Sequence, residues 1–168
     1  MYKNYFLMLL IPLLAVFNSC QNQTSRLDQQ RKAAFIQVNK ILESGNVDEL
    51  DAYISKDVVD HQAEAEGGAA GLAGIKDLFR NYHKIFPDLH ITVHSMAVSG
   101  DTLFGYVTNA GTPSEPFMGM PANQPISSNS VDIVRFDGDK IAEHWGFIDM
   151  SELMKMMPKD TTKSEMMQ

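Results

Sequence analysis

The stretch AEHWGFID, Ala142 to Asp149, places a histidine between a glutamate and the chain's only tryptophan, with a glycine and an aspartate close behind. Imidazole has the ordinary side-chain pKa nearest neutrality, so His144 is the first candidate for moving a proton. A carboxylate beside it would fix its tautomer and raise its pKa. Asp132, in the preceding segment, is the carboxylate that a hairpin would carry toward it. The same residues also fit a plainer role, in which His144 is a structural histidine satisfied by one hydrogen bond.

The hairpin register decides what His144 meets. With Asp137 and Gly138 as a two-residue turn, Phe136 pairs with Asp139 and Asp132 lies opposite Glu143. With Asp137 to Asp139 as a three-residue loop, Phe136 pairs with Lys140 and Asp132 lies opposite His144. A slip of one residue moves every partner to the other face. Trp145 alternates away from His144, which puts it on the outer sheet face or in a homodimer interface.

A metal site is not expected. His90 and His94 are four strand residues apart, about 13 Å at the strand rise, too far to share an ion. His83 has no ligand-type partner one helical turn away and reads as a surface residue. With one cysteine, Cys20, no intrachain disulfide or multi-thiolate zinc site can form. No cofactor is expected.

These residues need elements to hold them. Apolar positions at Ala34, Val38, Ile41 and Leu42 predict a helix from Leu27 to Glu43, with Gly45 as its stop. Val47, Leu50, Tyr53 and Ile54 predict a short second helix, and Val58 and Val59 a brief strand. Leu72 to Ile85 reads as a third helix, limited by Pro87. Beyond Pro87 the period falls from 3.6 to 2, and strands are expected near Leu89 to Val93, Leu103 to Thr108, Ile126 to Phe136 and Lys140 to Ile148. A closing helix follows from Ser151 to Met157, with a polar tail from 158 to 168. Helices followed by an antiparallel meander define an α+β fold, with helices packed on one face of a bent sheet that encloses a cavity. Phe117, Met118 and Met120, in the long loop before the last hairpin, either close the mouth of that cavity or pack in the core. Tyr82, on the third helix, is a candidate ligand contact.

The chain has 168 residues, of which 44% are hydrophobic, enough for one compact domain. Its formal charge is −7, so the surface field repels phosphate backbones and no nucleic-acid partner is expected. The N-terminus begins with Lys3 and an apolar run from Tyr5 to Phe17, shorter than the roughly 20 residues a membrane span needs. It reads as an export signal over residues 1–19. Ser19 and Cys20 resemble the end of a bacterial lipobox, which implies lipidation at Cys20, a polar tether to residue 27, and a membrane-anchored lipoprotein facing the periplasm or cell exterior.

The segments NVDELDAYISKDVVDHQ, GLAGIKDLF, FPDLHITVHSMAVSGDTLFGYV, PFMGMP and VDIVRFDGDKIAEHWGFID together resemble the SnoaL-like polyketide cyclase family, over residues 28–157. The resemblance implies a cone-shaped α+β roll with an apolar cavity for a small organic molecule, and metal-free aldol or isomerase chemistry by acid and base groups. It also implies that His61 turns toward the cavity, and it favours the three-residue loop, because positions 132 and 146 should both face inward. The family's catalytic aspartate corresponds to position 146, which here is Gly146. Glycine has no side chain to move a proton. The candidates are therefore His144, Asp132 and His61 for catalysis and Tyr82, Phe117, Met118, Met120 and Gly146 for ligand contact. A small-ligand-binding lipoprotein without catalysis is the other reading.

Overall fold

The computed structural model describes residues 11–65 and 68–157. The first ten residues of the expected signal and the expected tail from 158 lie outside them. Helix α1 spans Ile11–Ser44, starting well before the expected Leu27. No glycine or proline interrupts the segment from residue 13 to Gly45. The residues expected to form a tether therefore continue the helix. At its C-terminus Gly45 takes φ 74° and its N–H donates to the Ile41 carbonyl.

The short second helix is a 3₁₀ segment, Val47–Ala52. The brief strand is longer than expected, β1 Ile54–Asp60, and a one-turn helix the periodicity missed, α2 His61–Ala65, follows at once. Next come α3 Gly71–Ile85, β2 His90–Ser99, β3 Thr102–Gly111, β4 Ile126–Asp137, β5 Lys140–Ile148 and α4 Met150–Met156.

The strands form one curved, unclosed sheet in the order β1-β5-β4-β3-β2. From β2 to β5 every pairing is antiparallel, as the meander predicted. The exception is β1, which adds a parallel edge strand beside β5. That pairing places the chain's 60s next to its 140s. The core lies between the inner sheet face and the helices, and includes Phe35, Ile41, Leu50, Val58, Ile75, Leu103, Val107, Val134, Phe136 and Ile141. Gly105 on β3 shows how closely α1 approaches: a Cβ there would stand 2.4 Å from the Phe35 ring.

A bulge in the last hairpin corrects the expected register. The last hairpin turns at Gly138 and Asp139, with Asp137 paired to Lys140 and Gly138 at φ 62°, the conformation glycine adopts most cheaply. An extra residue at Ala142 then shifts the ladder, so Arg135 pairs with Glu143, Val134 with His144 and Asp132 with Gly146. Neither sequence-based register is correct. In β2 the pairing shifts between Val93 and Ser95.

Candidate active site

Asp132, Val134 and His144 share the inner face of β4 and β5, since residues two apart on a strand point the same way. They line a cavity of about 200 Å³ between the sheet and helices α1 and α3. Its apolar wall includes Phe35, Ile75, Phe79 and Tyr82, and its polar wall includes Asp60, Gln62, Asp132 and His144. A cavity near 150 Å³ accepts a benzene-sized molecule. This one fits a ligand of about one ring.

His144 is the centre of a charged cluster. Its Nδ1–H donates to Asp60 Oδ2 at 2.9 Å, and its Nε2 lies 3.9 Å from Asp132 Oδ1. The contact with Asp132 is an ion pair beyond hydrogen-bond reach, because Asp132 stands opposite Gly146 and reaches His144 diagonally. Burial opposes the charge on His144, but the attraction of Asp132 and Asp60 outweighs it and raises its pKa to about 9. At neutral pH His144 is an imidazolium, so it donates protons and cannot act as a resting base.

Asp60 holds the cluster from the parallel edge strand. Its side chain is 8% exposed. While Oδ2 takes the His144 proton, Oδ1 accepts the backbone N–H groups of Gln62 at 3.1 Å and Ala63 at 2.9 Å. Asp60 is thus the N-cap of α2. Burial raises its pKa, yet His144 and the two capping N–H groups bring it below the ordinary carboxylate value. Periodicity left this residue unnoticed, although parity contained the signal: Val58 faces the core, so Asp60, two residues on, does too.

The same parity moves His61 away from the cavity. Its Nε2 bonds Glu143 at 3.0 Å, and its ring stacks on Trp145 with centroids 4.5 Å apart. Glu143 and Trp145 belong to the alternation opposite His144, and Glu143 also accepts from Arg135 Nε at 2.8 Å. His61 therefore sits 40% exposed outside the cavity rather than in it. Trp145 takes the outer face, as alternation predicted.

Among the expected ligand contacts, Tyr82 lines the cavity. Phe117 stands behind it, edge-on to the Tyr82 ring at 5.9 Å. Met118 is exposed at φ 48°, whereas Met120 is buried in packing, so neither lines the cavity. Gly146 does not line it either, because Gln62 covers it: a Cβ at position 146 would lie 2.3 Å from Gln62 Oε1. Sequence reasoning missed Gln62 because α2 was not foreseen. His83 is not a simple surface residue, since its ring lies against Gly45 and its Nδ1 is buried. Asp149 follows β5 and caps α4, its Oδ1 accepting the Ser151 N–H at 2.9 Å. Among the described residues no group of His, Cys, Asp and Glu is arranged to hold a metal ion.

Helices closing an apolar pocket against a curved sheet, with an imidazolium held between two carboxylates on the strand wall, define a cone-like α+β pocket protein with acid and base groups. The SnoaL-like polyketide cyclase model matches residues 33–157, and the chain belongs to that family. Its fold is similar to that of TsrD from Streptomyces laurentii, at 22% identity and a TM-score of 0.67, over 78% of this chain and 94% of that one. A SnoaL-like polyketide cyclase from Agrobacterium tumefaciens aligns at 19% identity and 0.65, over 74% and 95%. AclR from Streptomyces galilaeus aligns at 27% identity and 0.62, over 76% and 94%. No curated relative matches the chain.

Proposed function

We propose that this domain catalyses cofactor-free proton transfer at a carbon next to a carbonyl, of the aldol-cyclase or isomerase type, on an apolar molecule of about one ring. The observation that carries the reading is the placement of Asp132 and the His144 imidazolium on one wall of an otherwise apolar cavity. With the carbonyl oxygen accepting from His144 Nε2–H, the Asp132 carboxylate takes the adjacent C–H proton, and the imidazolium balances the developing enolate. The same carboxylate can return the proton to another carbon. Asp60 holds the ring through Nδ1, which leaves Nε2 to face the cavity.

The test follows the α-proton signals of cyclohexanone in D₂O by NMR. Exchange faster with protein than with buffer alone is expected. No acceleration rejects the catalytic reading, and saturable binding without acceleration would favour the non-catalytic alternative that Gly146 raises.

Export and anchoring form part of the proposal, supported by the apolar run before Cys20 and the lipobox-like Ser19 and Cys20. Among the described residues no helix is long and apolar enough to cross a membrane. Expression in a bacterium should yield a protein whose mass shows cleavage before Cys20 and an acyl addition to it; an unmodified Cys20 rejects the anchor. A second copy of the chain is the proposed partner on the outer sheet face. There Tyr106, Val131 and Phe147 follow one another across three strands and are 41%, 38% and 58% exposed. Light scattering should give a dimer mass that Phe147→Arg halves; a monomer in the unsubstituted chain rejects it.

A further inference from the structure

Gly146 and Gln62 are 84 residues apart and occupy one space. On the inner face of β5, position 146 lies between Asp132, its partner in the ladder, and the first turn of α2. A Cβ at that point would stand 2.3 Å from Gln62 Oε1 and 3.6 Å from Asp132 Oδ1. The first distance is shorter than any real contact. Any residue other than glycine would displace the Gln62 amide oxygen from where it stands. The backbone at 146 is not in the positive-φ region, so no turn or left-handed conformation calls for glycine here.

We propose that Gln62 is a second donor to the ligand's carbonyl, beside His144, and that Gly146 exists to let its side chain reach the polar wall. The placement of Gln62 is built into the fold. Asp60 accepts the Gln62 backbone N–H and so fixes the start of α2, while its other oxygen holds His144. One carboxylate thereby fixes the backbone that carries Gln62 and the ring of His144. Gln62 lines the cavity with Asp132 and His144.

The chemistry of this set selects a ligand class. A primary amide offers N–H donors without carrying charge, so it suits a neutral carbonyl oxygen. An isosteric hydrocarbon would leave the amide desolvated and unpaired, which disfavours it. The preferred ligands are therefore small cyclic or short-chain ketones. This inference deepens the proton-transfer reading and rests on it for the ligand's reactive carbon, but the amide's role is measured by binding and not by turnover.

The experiment compares the dissociation constants of cyclohexanone and of methylenecyclohexane, which has the same shape without the oxygen, by NMR titration of the full chain. The unsubstituted protein should prefer the ketone. Gln62→Leu should lower that preference roughly three- to tenfold, the worth of one neutral hydrogen bond, while alkene binding holds. Gly146→Ala keeps the amide but evicts it, and should lower the preference to a similar extent. A merely structural role would weaken both ligands together and leave the ratio unchanged. An unchanged ratio in either variant overturns the proposal, as does an unsubstituted chain that binds neither probe. A ratio that falls as expected in a protein that does not accelerate α-proton exchange retains Gln62 as a recognition residue and rejects catalysis alone.

Discussion

Asp132→Asn is expected to slow enzyme-accelerated α-proton exchange by about 10²- to 10⁴-fold, the usual worth of a positioned base. Asparagine preserves the volume and removes the basic electron pair. Asp132 is 20% exposed on its side chain and, among the described residues, makes no hydrogen bond that organises a turn or cap, so the variant should fold. Its ligand affinity should change by no more than a few-fold, because the apolar wall and the donors at His144 and Gln62 remain. The combination is diagnostic: loss confined to the chemical step marks an interaction made in the transition state. His144→Gln should also lose rate, since it removes the charge that balances the enolate. A loss of less than tenfold in Asp132→Asn assigns the base elsewhere.

Stability should decline between pH 6.5 and about pH 9, and His144 should be responsible. Its pKa is raised from 6.5 to about 9 in the folded protein. A group raised in this way contributes its full stabilisation below the unfolded value of 6.5, and loses it as pH climbs through the folded value. The shift caps that contribution at about 3 kcal/mol. Asp60 acts at the other end. Its lowered pKa contributes stability above the ordinary carboxylate value of 3.8, which is lost as pH falls through the folded value. Urea midpoints at pH 6 and pH 9.5 measure the first effect.

Two substitutions at Asp60 separate its two bonds. Asp60→Asn keeps an oxygen to cap α2 but presents a neutral amide to His144, so the midpoint should fall less steeply between pH 6.5 and 9, with Asp132 supplying the attraction that remains. Asp60→Ala removes the cap as well, and leaves the imidazolium with Asp132 alone as its counter-charge. Its cost should reach about 3 to 5 kcal/mol from the broken pair and about 1 kcal/mol from the cap. A pH slope in Asp60→Asn equal to that of the unsubstituted chain would show that another group titrates. Proton transfer should fall in the same upper range, because neutral His144 keeps its proton on Nδ1 toward Asp60 and has none at Nε2.

Local pattern was enough to predict most of the elements. Gly45 and Pro87 limit helices through their own backbone geometry, and alternation after residue 87 marks strands because successive side chains must face opposite sides. These constraints act within a few residues, so they are legible without a fold. Alternation likewise separated His144 from Trp145, and the resemblance to the family drew attention to Gly146.

Tertiary structure decided what those residues meet. The bulge at Ala142 sets Asp132 opposite Gly146, and a bulge depends on how both strands curve over the core rather than on the turn alone. The parallel pairing of β1 with β5 brings Asp60 to His144 and turns His61 to the other face, where it stacks on Trp145. The helix that follows delivers Gln62 into the space Gly146 leaves. A residue's type and its side of a strand are fixed by the chain near it. Its partner across 84 residues is fixed only when the sheet closes the distance, which is why the glycine was visible in the sequence and the amide that fills its place was not.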